Sequence, residues 1–236
     1  MTYELAQTII FTSMVIKSKK DIEKLIDKWG FLPFFVNEIE GFSIEEHVDP
    51  KCWFTAIPGP WEWKGDIIRD GYAYGKIFGK KCGFATLEWY RHLANWRRNG
   101  LDFESRRDEG LVPYQDQYLY NALADYGFIQ SNGLKSVAGF DKKGGRKGFD
   151  TIITRLQMQC YVCVSDFPYR LDKDGNTYGW GITEYSTPEE LFRERFTKGL
   201  YRCKPETSRK KIEDHLHKIL PNATDAQIAR FIGSNE

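Results

Sequence analysis

Three tryptophans stand close together at Trp53, Trp61 and Trp63, and Pro58 and Pro60 lie between the first two of them. Proline fixes φ and removes a backbone donor, so the stretch 53–63 is not expected to be a regular helix. Aromatic rings in such a segment can form a wall that stacks on a flat ligand such as a nucleic-acid base. They can also plug a hydrophobic core, because tryptophan is usually highly buried. Both interpretations stay open from the sequence.

Basic residues are concentrated in two parts of the chain. Residues 64–107 carry ten Lys or Arg against five Asp or Glu, and six Lys or Arg between 135 and 155 oppose only Asp141 and Asp150. Clustered positive charge attracts the phosphate backbone of nucleic acids, although a basic helix face is often plain solvated surface. The residues that we expect to contact DNA are Lys142, Lys143, Arg146, Lys147, Arg155, Arg170 and Lys173.

Cys160 and Cys163 form a C-x-x-C pair within a stretch of strand-like composition. Residues three apart on a strand face opposite sides of it, so the two thiols are not expected to share a ligand. The chain has five cysteines and no second pair of this spacing, which a zinc site of this kind would need. No phosphate loop, dinucleotide fingerprint or catalytic triad is visible either. We therefore expect neither a metal nor a cofactor.

The elements that must position these residues follow one another between residues 112 and 185. Apolar periodicity predicts helices over 113–129, 131–140 and 149–158. Strand-like segments at 161–167 and 178–183 then flank a hairpin turn signal, Asp174-Gly175. Three helices followed by a β-hairpin is the order of a winged-helix module. In such modules the third helix usually enters the major groove of DNA and the wing contacts the backbone or minor groove. Many winged helices instead serve as protein-interaction modules, since a fold does not fix a function.

Helical patterns flank this module on both sides, and polar residues mark where several of them begin. They lie over 17–30, 86–99, 187–201, 207–220 and 224–232, with Ser18, Thr86 and Thr187 as N-caps.

We therefore predict an α+β fold that contains winged-helix modules, each with three helices plus a β-hairpin wing, and additional helices at both ends. Residues 1–110 are expected to form a mixed, aromatic-rich region, for which a second winged-helix-like unit is one interpretation. Residues 111–186 are the predicted winged-helix domain, and residues 187–236 the C-terminal helices.

The composition sets limits on what the chain does. Lys plus Arg number 34 against 33 Asp plus Glu, for a net charge of +1, so a nucleic-acid-binding role must rest on the local clusters. The first twenty residues have no basic stretch before their apolar residues, and no apolar run is long enough to span a bilayer. An odd number of cysteines at irregular spacing favours reduced thiols. We expect a cytoplasmic protein without a membrane partner.

The segment Leu156-Gln157-Met158-Gln159 ends the predicted third helix and runs into a strand. It resembles the Gln-apolar-Gln motif of AlkZ-type alkylpurine DNA glycosylases, which are bacterial enzymes built from tandem winged helices. The whole chain is more similar to the shorter bacterial proteins described as AlkZ-related. The stretches that carry this second resemblance are Gly30-Phe-Leu-Pro33, Trp61-Glu-Trp63, Tyr74-Gly-Lys76 and Tyr178-Gly-Trp180.

The resemblance to the glycosylases implies excision of an N-alkylated purine from DNA. An alkylated purine is cationic and therefore a good leaving group that needs little acid catalysis. Gln157 and Gln159 would act catalytically by positioning water and stabilising the developing sugar cation, which the partly negative oxygen of a carboxamide is able to do. The alternative is that both amides form hydrogen bonds within the fold and hold the wing in place.

Together these observations predict a winged-helix protein whose partner is DNA. It is either a repair enzyme that excises alkylated purines or an inactive relative that still binds DNA. Two alternatives stay open, a non-enzymatic transcriptional regulator and a scaffold that binds protein or small molecules. The near-zero net charge and the aromatic excess favour the scaffold. The sequence predicts no particular oligomeric state.

Overall fold

The structure of the protein is a computed structural model that describes residues 15–53 and 58–235. The expectations for residues 1–14, and for part of the stretch between Trp53 and Trp63, lie outside these ranges. Within them, helices alternate with small antiparallel sheets, so the fold is α+β as predicted. None of the described helices combines the length and the apolar character that crossing a membrane requires.

Within the described residues up to 85, the first part of the chain contains two α-helices and three strands. In order they are α1 (Lys19–Trp29), β1 (Phe31–Pro33), α2 (Pro60–Arg69), β2 (Ala73–Phe78) and β3 (Lys81–Ala85). The strands form one antiparallel sheet in the order β1-β3-β2. Helix α1 has the predicted position because its apolar residues recur at helical spacing and become buried, namely Ile22, Leu25, Ile26 and Trp29.

Helix α2 corrects the expectation that the stretch 53–63 contains no regular helix. Pro60 is the first residue of α2, where the missing N–H would have had no partner within the helix. The N–H of Gly59 donates to Glu62 Oε2 at 2.9 Å and completes the helix start. The second proline therefore begins a helix, and Trp61 and Trp63 lie in its first turn.

The middle of the chain contains four helices that the sequence predicted and one, over 103–108, that it did not. They are α3 (Leu87–Arg97), α4 (Phe103–Asp108), α5 (Tyr114–Tyr126), α6 (Ser131–Val137) and α7 (Phe149–Met158). Thr86 caps α3 as expected, since its hydroxyl accepts the N–H of Trp89. Helix α7 has the predicted bounds, and its apolar residues Phe149, Ile152, Ile153 and Leu156 are buried.

Five strands accompany these helices. They are β4 (Phe128–Gln130), β5 (Cys163–Asp166), β6 (Arg170–Leu171), β7 (Thr177–Tyr178) and β8 (Glu184–Ser186). Strands β4, β8 and β5 form an antiparallel sheet in that order, and β6 pairs with β7 as a separate hairpin.

Two details of this region differ from the prediction. Strand β4 is three residues long and has no pattern that marks it in the sequence. The predicted return strand over 178–183 is wrong over most of its length, because β7 ends at Tyr178 and β8 begins at Glu184. Gly179 adopts a φ of +72°, outside the strand region, and the N–H of Ile182 donates instead to Pro168 O at 2.9 Å.

The last helices pack back onto earlier parts of the chain. They are α8 (Pro188–Phe192), α9 (Glu194–Thr197), α10 (Pro205–Ile219) and α11 (Asp225–Ile232). Asn95 Nδ2 on α3 donates to Ser208 Oγ on α10 at 2.8 Å. Buried apolar side chains from the first, middle and last parts belong to one hydrophobic cluster. The predicted single helix 187–201 is wrong, because Arg193 has a φ of +50° and separates α8 from α9.

The C-x-x-C pair also lies differently from the expectation. Cys163 is on β5, but Cys160 lies in the turn before the strand, with a φ of +61°. Both thiols are buried and form no disulfide, and burial raises the pKa of each. Within 15–53 and 58–235, no three His, Cys, Asp or Glu side chains are grouped so as to hold a metal ion.

Candidate functional site

Gln157 lies in the interior, where it joins α7 to β2. Its side chain is 1% exposed. The Oε1 atom accepts the backbone N–H of Lys76 at 2.9 Å, and Nε2 donates to Ile153 O at 3.1 Å. Both ends of the amide are therefore engaged within the fold, as in the structural interpretation of the motif. The strand that it holds belongs to the first sheet rather than to the predicted wing.

Small and basic residues of the first sheet allow this close contact. A Cβ at Gly75 would lie 3.1 Å from Gln157 Oε1, so a side chain there would force the amide to shift by a few tenths of an ångström. Lys76 Nζ lies 3.5 Å from Thr154 Oγ1, and the N–H of Lys80 lies 3.3 Å from Met158 Sδ. The β2–β3 hairpin thus runs along the C-terminal half of α7 and covers it.

Gln159 is the C-cap of α7 and is half-buried. The backbone carbonyls before and after Gln159 both accept hydrogen bonds from arginines, one at the end of α3 and one directly after that helix. Arg97 Nη1 donates to Met158 O at 2.9 Å, and Arg98 Nη2 donates to Cys160 O. The two glutamines of the motif therefore have different surroundings, since Gln157 is sealed in and Gln159 lies in a turn fixed by arginines.

Gln159 lines a pocket of about 400 Å³. Among the described residues its walls contain three arginines and no acidic side chain; the lining is Arg97, Arg106, Leu111, Pro113, Arg155, Met158, Gln159, Gly233 and Ser234. Arg97 and Arg106 come from the basic segment 64–107, and Arg155 comes from α7. The pocket thus brings together arginines from the two basic segments.

The three arginines are held in different ways. Arg155 forms a two-pronged ion pair with the buried Asp116, at 2.8 Å from Nε to Oδ2, which raises the pKa of Arg155. Arg97 also donates to Ile232 O at 2.8 Å, and burial lowers its pKa. Arg106 is 7% exposed, and its guanidinium makes no hydrogen bond or ion pair within the described ranges.

The basic turn between α6 and α7 is partly built into the fold. Lys142, Lys143 and Lys147 are exposed. Arg146 instead lies over the ring of Tyr118, 3.7 Å from its centroid, and donates to Ala138 O at 3.1 Å. Three of the predicted contact residues in this turn are therefore free of the interior, whereas Arg146 fixes the turn to α5.

The hairpin β6–β7 is exposed along its whole length. Arg170 and Lys173 are exposed together with Leu171, Tyr178 and Trp180. Arg170 and Tyr178 are register partners across the two strands. Asp172 shapes the turn by accepting two backbone N–H groups, which lowers the pKa of its carboxyl. Positive charge and aromatic rings therefore stand side by side on this hairpin.

The three tryptophans predicted to stack on a ligand are half-buried rather than sealed in. Trp53 packs on Phe34 with ring centroids 5.7 Å apart. Trp61 lies edge-on to Trp180, which is 62% exposed, at 6.3 Å. Trp63 packs against the hydrophobic cluster. The wall expected at 53–63 is therefore connected to the exposed hairpin segment through the ring of Trp61.

Lys64 is a buried cation that sequence reasoning did not single out. Its Nζ lies 3.8 Å from the ring centroid of Trp61 and 4.4 Å from that of Phe167, and it donates to Trp61 O at 2.5 Å. Burial lowers the pKa of Lys64 to about 8. The available signal was its position three residues after Trp61 on α2, which places the two side chains on one face of the helix.

Comparison with protein families identifies what this chain is related to. A family model described as AlkZ related matches residues 16–233. No curated protein and no solved structure is similar enough to this chain to count as a match. Because the match covers nearly the whole sequence, the chain belongs to the AlkZ-related family.

Proposed function

We propose that this protein binds DNA and that residues 111–186 form a winged-helix module whose wing is the hairpin β6–β7. Three helices, α5, α6 and α7, precede the hairpin, which is the arrangement that places a helix and a wing against a duplex. Helix α7 is covered by β2 over its C-terminal half, so the surface that we assign to DNA is the basic turn before it and the wing.

We extend the proposal to a second winged-helix-like unit within residues 1–110. In the first sheet the last strand, β3, lies between the other two. In the second sheet the last strand, β8, lies between β4 and β5 in the same way. In each sheet a helix also precedes the strand that comes second along the chain, α2 before β2 and α7 before β5. This shared strand order supports two units of related architecture.

The observation that carries DNA binding is the composition of the exposed hairpin. Arg170 and Lys173 supply charge for phosphates, and Tyr178 and Trp180 supply rings on which unpaired bases can stack. The exposed Lys142, Lys143 and Lys147 add charge on the turn that precedes α7.

Fluorescence anisotropy with labelled duplex and single-stranded oligonucleotides tests this proposal. Binding is expected to weaken with salt, and neutralising Arg170 and Lys173 to Gln together should lower the logarithmic salt slope by about two. The charge-matched control neutralises Lys210 and Lys218, exposed on α10, and should leave the slope unchanged. Absent or salt-insensitive binding would contradict the proposal and favour a scaffold that binds protein or small molecules.

The second candidate function is excision of alkylated purines, with Gln159 at the site of reaction. Its support is that Gln159 lines a pocket, whereas Gln157 is 1% exposed. We assign Gln157 to positioning α7. A cationic purine would be repelled by the uncompensated charges of Arg97 and Arg106, so the pocket favours an inactive relative that binds DNA over an active enzyme.

A base-release assay on duplex DNA that carries N-alkylated purines distinguishes a DNA-binding protein without activity from an enzyme that excises the base. The binding proposal expects no release above the spontaneous rate from the wild-type protein. Release that is lost in Gln159→Ala and retained in Gln115→Ala, an exposed glutamine on α5, would instead establish excision.

A further inference from the structure

Arg106 and Arg107 are neighbours on α4 with opposite surroundings. Arg107 lies toward solvent and pairs with Asp108, at 3.0 Å from Nη2 to Oδ1. Arg106 is 7% exposed and has no acceptor for its guanidinium among the described residues. Burying a cation without a partner is costly, and such a group in a folded protein calls for an explanation. Arg106 also lines the pocket beside Gln159, so its donors have space in front of them.

The other charges around the pocket do not neutralise Arg106. Asp116 is engaged by Arg155 through both of its oxygens. Arg97 is held by backbone carbonyls, at Met158, Ile232 and Phe231, and has no carboxylate partner in the described part of the chain. Two of the three positive charges on the wall are therefore uncompensated, and both are fixed by burial before any ligand arrives.

We propose that this pocket binds a phosphate group. A guanidinium presents N–H donors in a planar fork that matches two oxygens of a phosphate, which makes arginine the usual residue for such recognition. A volume of about 400 Å³ accommodates a phosphate and part of the group that carries it. The phosphate belongs either to a nucleic-acid backbone, in which case the inference rests on the proposed function, or to a free phosphate or mononucleotide.

The pocket itself is tested by thermal unfolding with inorganic phosphate, against chloride at equal ionic strength. Phosphate at a hundred times its Kd should raise the Tm of the wild-type protein by roughly 5 to 10 °C. Arg106→Met should abolish this rise, whereas Arg107→Met should retain it. Arg106→Met without phosphate should unfold at the wild-type temperature or higher, since it removes a buried charge that has no partner. An equal phosphate response in wild type and Arg106→Met would overturn the proposal.

Anisotropy with the labelled oligonucleotides then identifies the source of the phosphate. Weaker binding by Arg106→Met than by Arg107→Met places a backbone phosphate in the pocket. Unchanged oligonucleotide binding together with a lost phosphate response assigns the pocket to a free phosphate or mononucleotide. If the wild type responds to phosphate but binds no oligonucleotide, the pocket stands and the proposed function fails. If it binds oligonucleotides without a phosphate response and Arg106→Met binds them equally, the pocket assignment fails and the proposed function stands.

Discussion

Arg98 donates a hydrogen bond of 2.5 Å to Glu189 from a side chain that has no exposed surface. The same guanidinium donates to Tyr201 OH at 3.0 Å and to the carbonyl of Cys160. One buried cation therefore ties the end of α3 to α8 and to the turn that carries Gln159. Its charge is compensated by a carboxylate, in contrast to that of Arg106.

Replacing Arg98 by Met should lower the free energy of unfolding by about 3 to 5 kcal/mol, because Glu189 would be left partly buried without its partner. Arg98→Lys should recover little of this, since an ammonium cannot reproduce the planar fork of donors. Urea denaturation measures the change, with the exposed Arg107→Met as control. A loss below 1 kcal/mol would show that the ion pair does not hold this region together.

Gln157→Ala should destabilise the protein by about 2 kcal/mol, because the backbone N–H of Lys76 would lose its acceptor in the interior. The exposed Gln115→Ala should change the free energy of unfolding by less than about 0.5 kcal/mol. Urea denaturation of both variants gives the comparison. Equal stabilities would mean that the amide does not join α7 to β2 in solution.

Lys64→Met should raise the free energy of unfolding by about 2 kcal/mol at pH 7, because the wild-type protein must desolvate an ammonium group. Between pH 8 and 10.5 the folded Lys64 has lost a proton that the unfolded chain still holds. The wild type therefore gains stability from this group as pH rises. The difference in free energy of unfolding between Lys64→Met and the wild type should become smaller.

Urea denaturation of wild type and Lys64→Met at pH 7.0 and pH 9.5 measures this narrowing. Using the difference between the two proteins removes the contribution of every other titrating group. Lys218→Met, an exposed lysine on α10, is the matched control and should show no such pH dependence. A gap that stays constant with pH would contradict a depressed pKa for Lys64.

Trp180→Ala should weaken binding of a single-stranded oligonucleotide by roughly 5- to 150-fold, the range that loss of one stacked base produces. The side chain is 62% exposed, so the free energy of unfolding should change little. Tyr126→Ala removes an aromatic ring of 60% exposure on α5 and serves as control. Similar affinities for the two variants would remove Trp180 from the proposed binding surface.

The elements that local pattern dictates were predictable from the sequence. Helix α7 follows from its apolar spacing, and the start of α8 follows from Thr187 as cap and Pro188 as first residue. The hairpin turn followed from Asp174-Gly175, but the extent of its return strand did not. Local pattern says little about strands of two or three residues, since such strands depend on pairing with distant segments.

The candidate site depended almost wholly on distant contacts. Arg106 and Arg107 look alike in the sequence, and only the packing of α4 buries one and exposes the other. Gln157 was predicted to matter, yet its partner is a backbone N–H on a strand of the first sheet. No spacing rule connects positions so far apart, so the role of the amide became visible only with the fold.

The contact of α10 with α3 has a consequence for how the protein is made. The side chains of Asn95 and Trp96 receive partners at Ser208 and Gly233, which leave the ribosome more than a hundred residues later. Domains generally fold as they emerge during synthesis. Here α3 emerges early but its packing is completed last, so we expect a nascent chain arrested before residue 205 to expose an apolar face that chaperones would bind.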